Sequence, residues 1–83
     1  MTREQVSEEV QEIFRDIFDD ESLVIENNTT AEDIEEWDSL NHINLISAIE
    51  KEFNIHFALG ELQSLKDVGV MIDMITEKSS KYI

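Results

Sequence analysis

The sequence predicts an all-α fold, on three observations. Apolar residues recur at spacings of three and four along most of the chain, the pattern of helices buried on one side. The one alternating apolar stretch, Ile55-His56-Phe57, is too short for more than an extended connector. There are no prolines and no cysteines, so helix packing has to hold the fold without disulfides or a zinc cage. At 83 residues the chain is expected to be one domain, 1–83, burying about two thirds of its unfolded surface.

The first helix begins near Arg3, because Thr2 and Gln5 are spaced as a capping box. Val6, Val10, Ile13, Phe14, Ile17 and Phe18 make its inner face, and Glu8, Glu9, Gln11, Glu12 and Asp16 its outer one. Asp19, Asp20 and Glu21 follow. Negative charge opposes the dipole at a helix C-terminus, so these residues mark the exit into a loop. They are not a calcium loop, since the aspartate alternation and central glycine are missing.

Residues 20 to 38 form a long connection, of the kind that is functional or holds a short element. Asn27-Asn28-Thr29 reads as a turn. Thr30 to Asp33 are placed to cap one helical turn, with Ile34 and Trp37 facing inward and Leu23 and Ile25 pinning the loop. Trp37, between acidic residues and without aromatic neighbours in sequence, is read as a loop anchor rather than a ligand platform.

The second helix runs from about Ser39 to Phe53. On a helical wheel Ile43, Leu45, Ile46, Ile49 and Phe53 fill one broad arc, opposite Asn41, Asn44, Ser47 and Lys51. His42 projects into the apolar arc and is read as a semi-buried histidine at a helix edge rather than as a residue gating a pocket. Neither His42 nor His56 has a partner at metal-ligand spacing. Leu59, Leu62 and Leu65 mark a short third helix, which Gly60 weakens by about 1 kcal/mol relative to alanine. Asp67 is placed to cap the last helix, whose inner face is Val68, Met71, Ile72 and Ile75. The tail from Thr76 to Ile83, with Lys78 and Lys81, is expected to be frayed and solvated.

Twenty acidic residues against six basic ones give a formal net charge of −14. That charge disfavours nucleic acid and anionic membranes as partners and favours proteins with basic docking patches. No stretch approaches the roughly 18 apolar residues of a membrane span, and no secretory signal is evident, so a cytoplasmic monomer is expected.

One residue stands apart. Ser39 follows the acidic stretch Glu35-Glu36-Trp37-Asp38 and opens the second helix. No glycines bracket it as in a nucleophile elbow, and there is no plausible triad. Its position instead offers an exposed hydroxyl at a helix N-terminus, where free N–H groups and the dipole favour a phosphate group.

Asp38-Ser39-Leu40, at this position in a chain of this length, resembles the attachment signature of the acyl carrier protein family. From Asp38 to Ile75 the family's pattern lies on the sequence without a gap, including Glu50 to Phe53 and Asp67-Val68. The resemblance implies a four-helix bundle with a long loop between helices one and two and a short third helix. It implies a non-catalytic carrier with 4′-phosphopantetheine on Ser39, attached by a phosphopantetheinyl transferase using coenzyme A and magnesium. The arm's thiol would carry acyl or aminoacyl intermediates as thioesters between loading, condensing or tailoring enzymes that dock on helix two. Members serving fatty acid synthesis usually have acidic residues where Asn41 and Asn44 stand and an apolar one where Ser47 stands. This sequence more closely resembles the stand-alone carriers of specialised pathways. An acidic helical interaction module without a prosthetic group is the alternative, distinguished by intact mass.

Overall fold

The computed structural model describes residues 2–80, Ser80 by its backbone alone. Four helices follow in order: α1 (Arg3–Ile17), α2 (Ser39–Phe53), α3 (Leu59–Gln63) and α4 (Val68–Ser80). The first helix packs against both α2 and α4, so its inner face is the spine of the core.

Local chemistry sets the start of α1. The Thr2 hydroxyl accepts the Gln5 N–H at 3.1 Å, and the Gln5 carboxamide accepts the Thr2 N–H at 3.0 Å, which satisfies two of the helix's free donors. At the other end Asp19 is left-handed (φ 50°), a conformation that aspartate tolerates better than most residues. The Asp20 N–H then returns to the Arg15 carbonyl at 3.0 Å, a Schellman closure. Ser22 donates its hydroxyl (2.7 Å) and its N–H (3.0 Å) to Asp20 Oδ1, which holds that carboxyl below the usual carboxylate range.

Val6, Val10 and Phe14 of α1 are fully buried, with Leu45 and Ile49 of α2 and Val68 and Ile75 of α4. Ile34 and Trp37 from the long loop and Ile55 and Phe57 from the connector complete the core. Thr30 to Asp33 form a hydrogen-bonded turn rather than a turn of helix. Leu23 and Ile25 lie half-buried against the core, as expected.

Two further expectations need correction. Ile43, placed on the apolar arc of α2, is 63% exposed, whereas Leu59 opens α3 as expected and is 74% exposed. Ile43 sits at the edge of the α2 arc, where no other element reaches over it, and Leu59 begins a five-residue helix with no buried residue of its own. The expected fraying after Thr76 is also wrong up to Ser80, because α4 continues to that residue. Ile75 is fully buried, and the Lys78 ammonium lies over the Phe57 ring (Nζ 5.8 Å from the centroid) and meets Glu61 Oε1 at 2.8 Å. A lysine held by a ring and a carboxylate from elsewhere in the fold ties down the last turns of the helix rather than leaving them to fray. Lys81 to Ile83, the rest of that expected tail, lie outside the described residues.

The loop also caps α4. Val68 N–H donates to the Thr29 carbonyl (2.9 Å), Gly69 N–H to the Asn27 carbonyl (2.8 Å), and Val70 N–H to Asp67 Oδ1 (2.9 Å). A Cβ on Gly69 would lie 2.9 Å from that Asn27 oxygen, whereas one on Gly60 would meet nothing within 4 Å. The two glycines should therefore respond with opposite signs. Gly69→Ala is expected to destabilise by about 1–3 kcal/mol through overpacking against backbone, while Gly60→Ala gains up to about 1 kcal/mol from helix propensity. Urea denaturation of both variants checks this, and equal signs would show that the contact between loop and α4 yields freely.

Glu8, Glu9, Glu12 and Asp16 of α1 and Glu52 of α2 border one surface groove. Their repulsion weakens as the Debye length falls from about 30 Å at 0.01 M salt to about 10 Å at 0.1 M. Tm should rise over that range, and a flat Tm would mean that these charges are too dispersed to matter.

Candidate functional site

The site is built where the loop enters α2. Asp38 is extended (φ −99°, ψ −175°) and its Oδ1 accepts the Asn41 N–H at 2.8 Å. Its carbonyl accepts the His42 N–H at 2.8 Å. Asp38 is therefore the N-cap, and the helix begins on the next residue, Ser39. The Asn41 carboxamide donates to the Glu36 carbonyl at 2.8 Å, which ties the last turn of the loop to the first turn of the helix. Asn41 is thus engaged within the site rather than free on the outer face, a contact that its place on the helical wheel did not reveal.

Ser39 is exposed, and among the described residues nothing hydrogen-bonds its hydroxyl. The N–H groups of Ser39 and Leu40 likewise find no acceptor among those residues. The site therefore presents an unencumbered hydroxyl beside two free backbone donors at the positive end of a 15-residue helix. That arrangement suits a phosphodiester. No base is positioned to take the serine's proton, since His42 is committed elsewhere.

Trp37 is the loop anchor that its apolar bulk suggests, and its aromatic partners come from far along the chain. Its ring meets Phe14 edge-on at 5.2 Å and Phe18 at 6.3 Å. Its indole N–H donates to His42 Nδ1 at 3.0 Å, with the two rings stacked at 6.0 Å and 21°. His42 is half-buried at a helix edge, as expected, but the bond to Trp37 was not foreseen. The available signal was a donor-only indole five residues before an imidazole across an N-cap. The other histidine, His56, is exposed, 3.8 Å from Glu50. Beside Ser39 an open groove of about 590 Å³ is lined by Ala31, Trp37, Asp38, Ser39, His42 and Ile43.

No protein-family model matches the chain, and comparison with curated proteins finds no match. Among solved structures it is similar to the solution NMR structure of a holo acyl carrier protein from Geobacter metallireducens. The two share 45% identity over 93% of this chain and 88% of that one, with a TM-score of 0.89. The chain belongs to the acyl carrier protein family.

The helix order expected from the family is the one observed, and the family is one of carriers rather than catalysts. In this carrier protein the outer face of α2 presents exposed Asn44 and Ser47 and the exposed apolar side chains of Leu40 and Ile43. No helix among the described residues is long and apolar enough to cross a membrane.

Proposed function

We propose that this acyl carrier protein, as a single carrier domain, carries 4′-phosphopantetheine on Ser39 and delivers acyl or aminoacyl intermediates between biosynthetic enzymes. The observation that carries the reading is the Ser39 hydroxyl, exposed at the first position of α2 within Asp38-Ser39-Leu40, in a chain 45% identical to a holo acyl carrier protein. The prosthetic arm supplies a thiol on which cargo travels as a thioester. The chain's own residues hold the attachment point: Asp38 caps the helix, Asn41 fastens the loop, and the Ser39 and Leu40 N–H groups face the position of the phosphate.

In the modification step the Ser39 Oγ attacks the pantetheine-bearing phosphorus of coenzyme A. An O–P bond forms, the pyrophosphate P–O bond breaks, and the adenosine bisphosphate leaves. The hydroxyl proton passes to a base of the phosphopantetheinyl transferase, because this chain places none there. Intact mass before and after treatment with a broad-specificity transferase, magnesium and coenzyme A tests the reading. The absence of a mass gain where a control carrier is modified would leave only the acidic interaction module.

The outer face of α2 supports a specialised pathway rather than fatty acid synthesis. Asn44 and Ser47 stand exposed where relatives in fatty acid synthesis present an acid and an apolar side chain. Asn41 is unsuited to testing this, because aspartate there would lose the 2.8 Å bond to Glu36. The clean variant is Asn44→Glu with Ser47→Met. An exposed ion pair adds about 0.2–1 kcal/mol, and apolar burial adds about 25 cal/mol per Å². The double variant should raise kcat/KM with a fatty-acid condensing enzyme several-fold to about tenfold. Equal efficiency of the unaltered protein and the cell's own fatty acid carrier would place this chain in primary lipid synthesis.

A further inference from the structure

We propose that the groove beside Ser39 is the seat of the arm this serine carries, and that His42 is the positioning residue that holds the arm there. The inference rests on Ser39 being the attachment point and concerns where the arm lies between deliveries.

The tether comes first. Ser39 is itself part of the groove wall, so a group bonded to its Oγ starts at the groove, and docking is intramolecular at high effective concentration. The volume, about 590 Å³, is that of a small-molecule site. None of α3 lines it; the opposite wall is Ala31 and Trp37 of the loop.

The lining chemistry matches the arm. Ile43, 63% exposed, is a large β-branched side chain with nothing over it, and with Ala31 it offers apolar surface to the paired methyl groups of the pantoyl unit. The polar contact comes from His42. An indole nitrogen can only donate, so the Trp37 N–H directed at His42 Nδ1 at 3.0 Å makes that nitrogen the acceptor. The neutral imidazole then carries its proton on Nε2. Nε2–H has no acceptor among the described residues, while the arm brings two amide carbonyls that accept. Trp37 thus serves as more than a loop anchor: it fixes the tautomer and, by stacking at 6.0 Å, the plane of the ring that presents the donor. A mostly apolar wall with a few placed polar groups, here His42 beside Asp38 and Ser39, is the usual form of a specific small-molecule seat.

The test uses the full chain, converted to the holo form with a transferase and isotope-labelled coenzyme A, with modification confirmed by intact mass. Nuclear Overhauser cross-peaks are expected from the arm's methyl protons to the methyls of Ala31 and Ile43. The His42 ring resonances should shift between apo and holo forms while the Trp37 indole N–H stays bonded. Ile43→Ser, at an exposed position that leaves the fold intact, should lose the contacts. His42→Phe, which keeps the stacking but has no donor, should lose them as well. His42→Gln, which offers an acceptor to the indole and a donor to the arm, should retain them. Holo protein without cross-peaks to Ala31 or Ile43 overturns the seat. Undiminished cross-peaks in holo His42→Phe overturn the role of His42. A chain that gains no mass overturns the reading of Ser39, and the seat with it.

Discussion

Ser39→Ala is expected to accept no phosphopantetheine at all while melting within about four degrees of the unaltered protein, since exposed substitutions typically change stability by less than about 0.5 kcal/mol and Tm moves by about 4–8 °C per kcal/mol in a domain of this size. The expectation of a complete effect follows from the chemistry, because alanine offers no oxygen for the phosphorus and no neighbouring hydroxyl occupies the same helical position: Leu40 follows and Asp38 precedes. The expectation of an intact fold follows from the contacts. The Ser39 side chain is exposed and hydrogen-bonds nothing among the described residues, while the cap of α2 belongs to Asp38. Asp38→Ala is the informative contrast. It removes the 2.8 Å bond to the Asn41 N–H and should cost about 1 kcal/mol, yet it leaves the hydroxyl in place, so modification becomes slower rather than impossible. Intact mass and thermal melts on the two variants separate the roles. A mass gain retained in Ser39→Ala would move the attachment point to another hydroxyl.

Residues whose job is settled within a few positions were legible in the sequence. Thr2 and Gln5 cap α1, Asp38 and Asp67 cap α2 and α4, and Ser39 takes the first position of its helix, because cap and helix start are fixed by one turn of chain. The inner faces of α1, α2 and α4 were legible for a similar reason: periodicity gives the direction of the buried stripe. It does not give the stripe's width. Ile43 lies at the margin of the α2 arc, and whether it is covered depends on where another element passes. Contacts made across the fold left no local trace. Gly69 reads as a weak point in a helix, yet it stands where the Asn27 carbonyl approaches. Lys78 reads as a solvated end, yet it pairs with Glu61 of α3. Asn41 reads as a free outer-face residue, yet its carboxamide closes back on Glu36. The groove beside Ser39 needs both Ala31 and Ile43, which lie twelve positions apart on different elements.

Trp37 is the residue at which the loop, the core and the site meet, and its truncation should have the largest effect on stability of any change near the site. The ring is 9% exposed, packed edge-on against Phe14 and beside Phe18, and bonded through its N–H to His42. Removing a buried tryptophan side chain typically costs about 3–5 kcal/mol. A chain of this length has roughly 4–12 kcal/mol to lose, so Trp37→Ala should lose a quarter or more of its folding free energy. At about 4–8 °C per kcal/mol for a domain of this size, Tm should fall by more than ten degrees. Trp37→Phe separates the two contributions. It keeps most of the apolar contact with Phe14 and Phe18 and gives up the bond to His42 Nδ1, a neutral hydrogen bond worth about 0.5–1.5 kcal/mol, at a half-exposed histidine that water can reach. The phenylalanine variant should therefore lie much nearer the unaltered protein than the alanine variant in equilibrium urea denaturation. Below its melting temperature Trp37→Ala should still be modified on Ser39, because the cap that sets the serine runs from Asp38 to Asn41 and not through the indole. If Trp37→Ala costs less than about 1 kcal/mol, the loop is held chiefly by its hydrogen bonds to α4 and by Leu23 and Ile25, and the aromatic cluster is not its main anchor. If instead both variants are equally destabilised, the bond to His42 outweighs the packing, and the histidine supports the fold as well as the site.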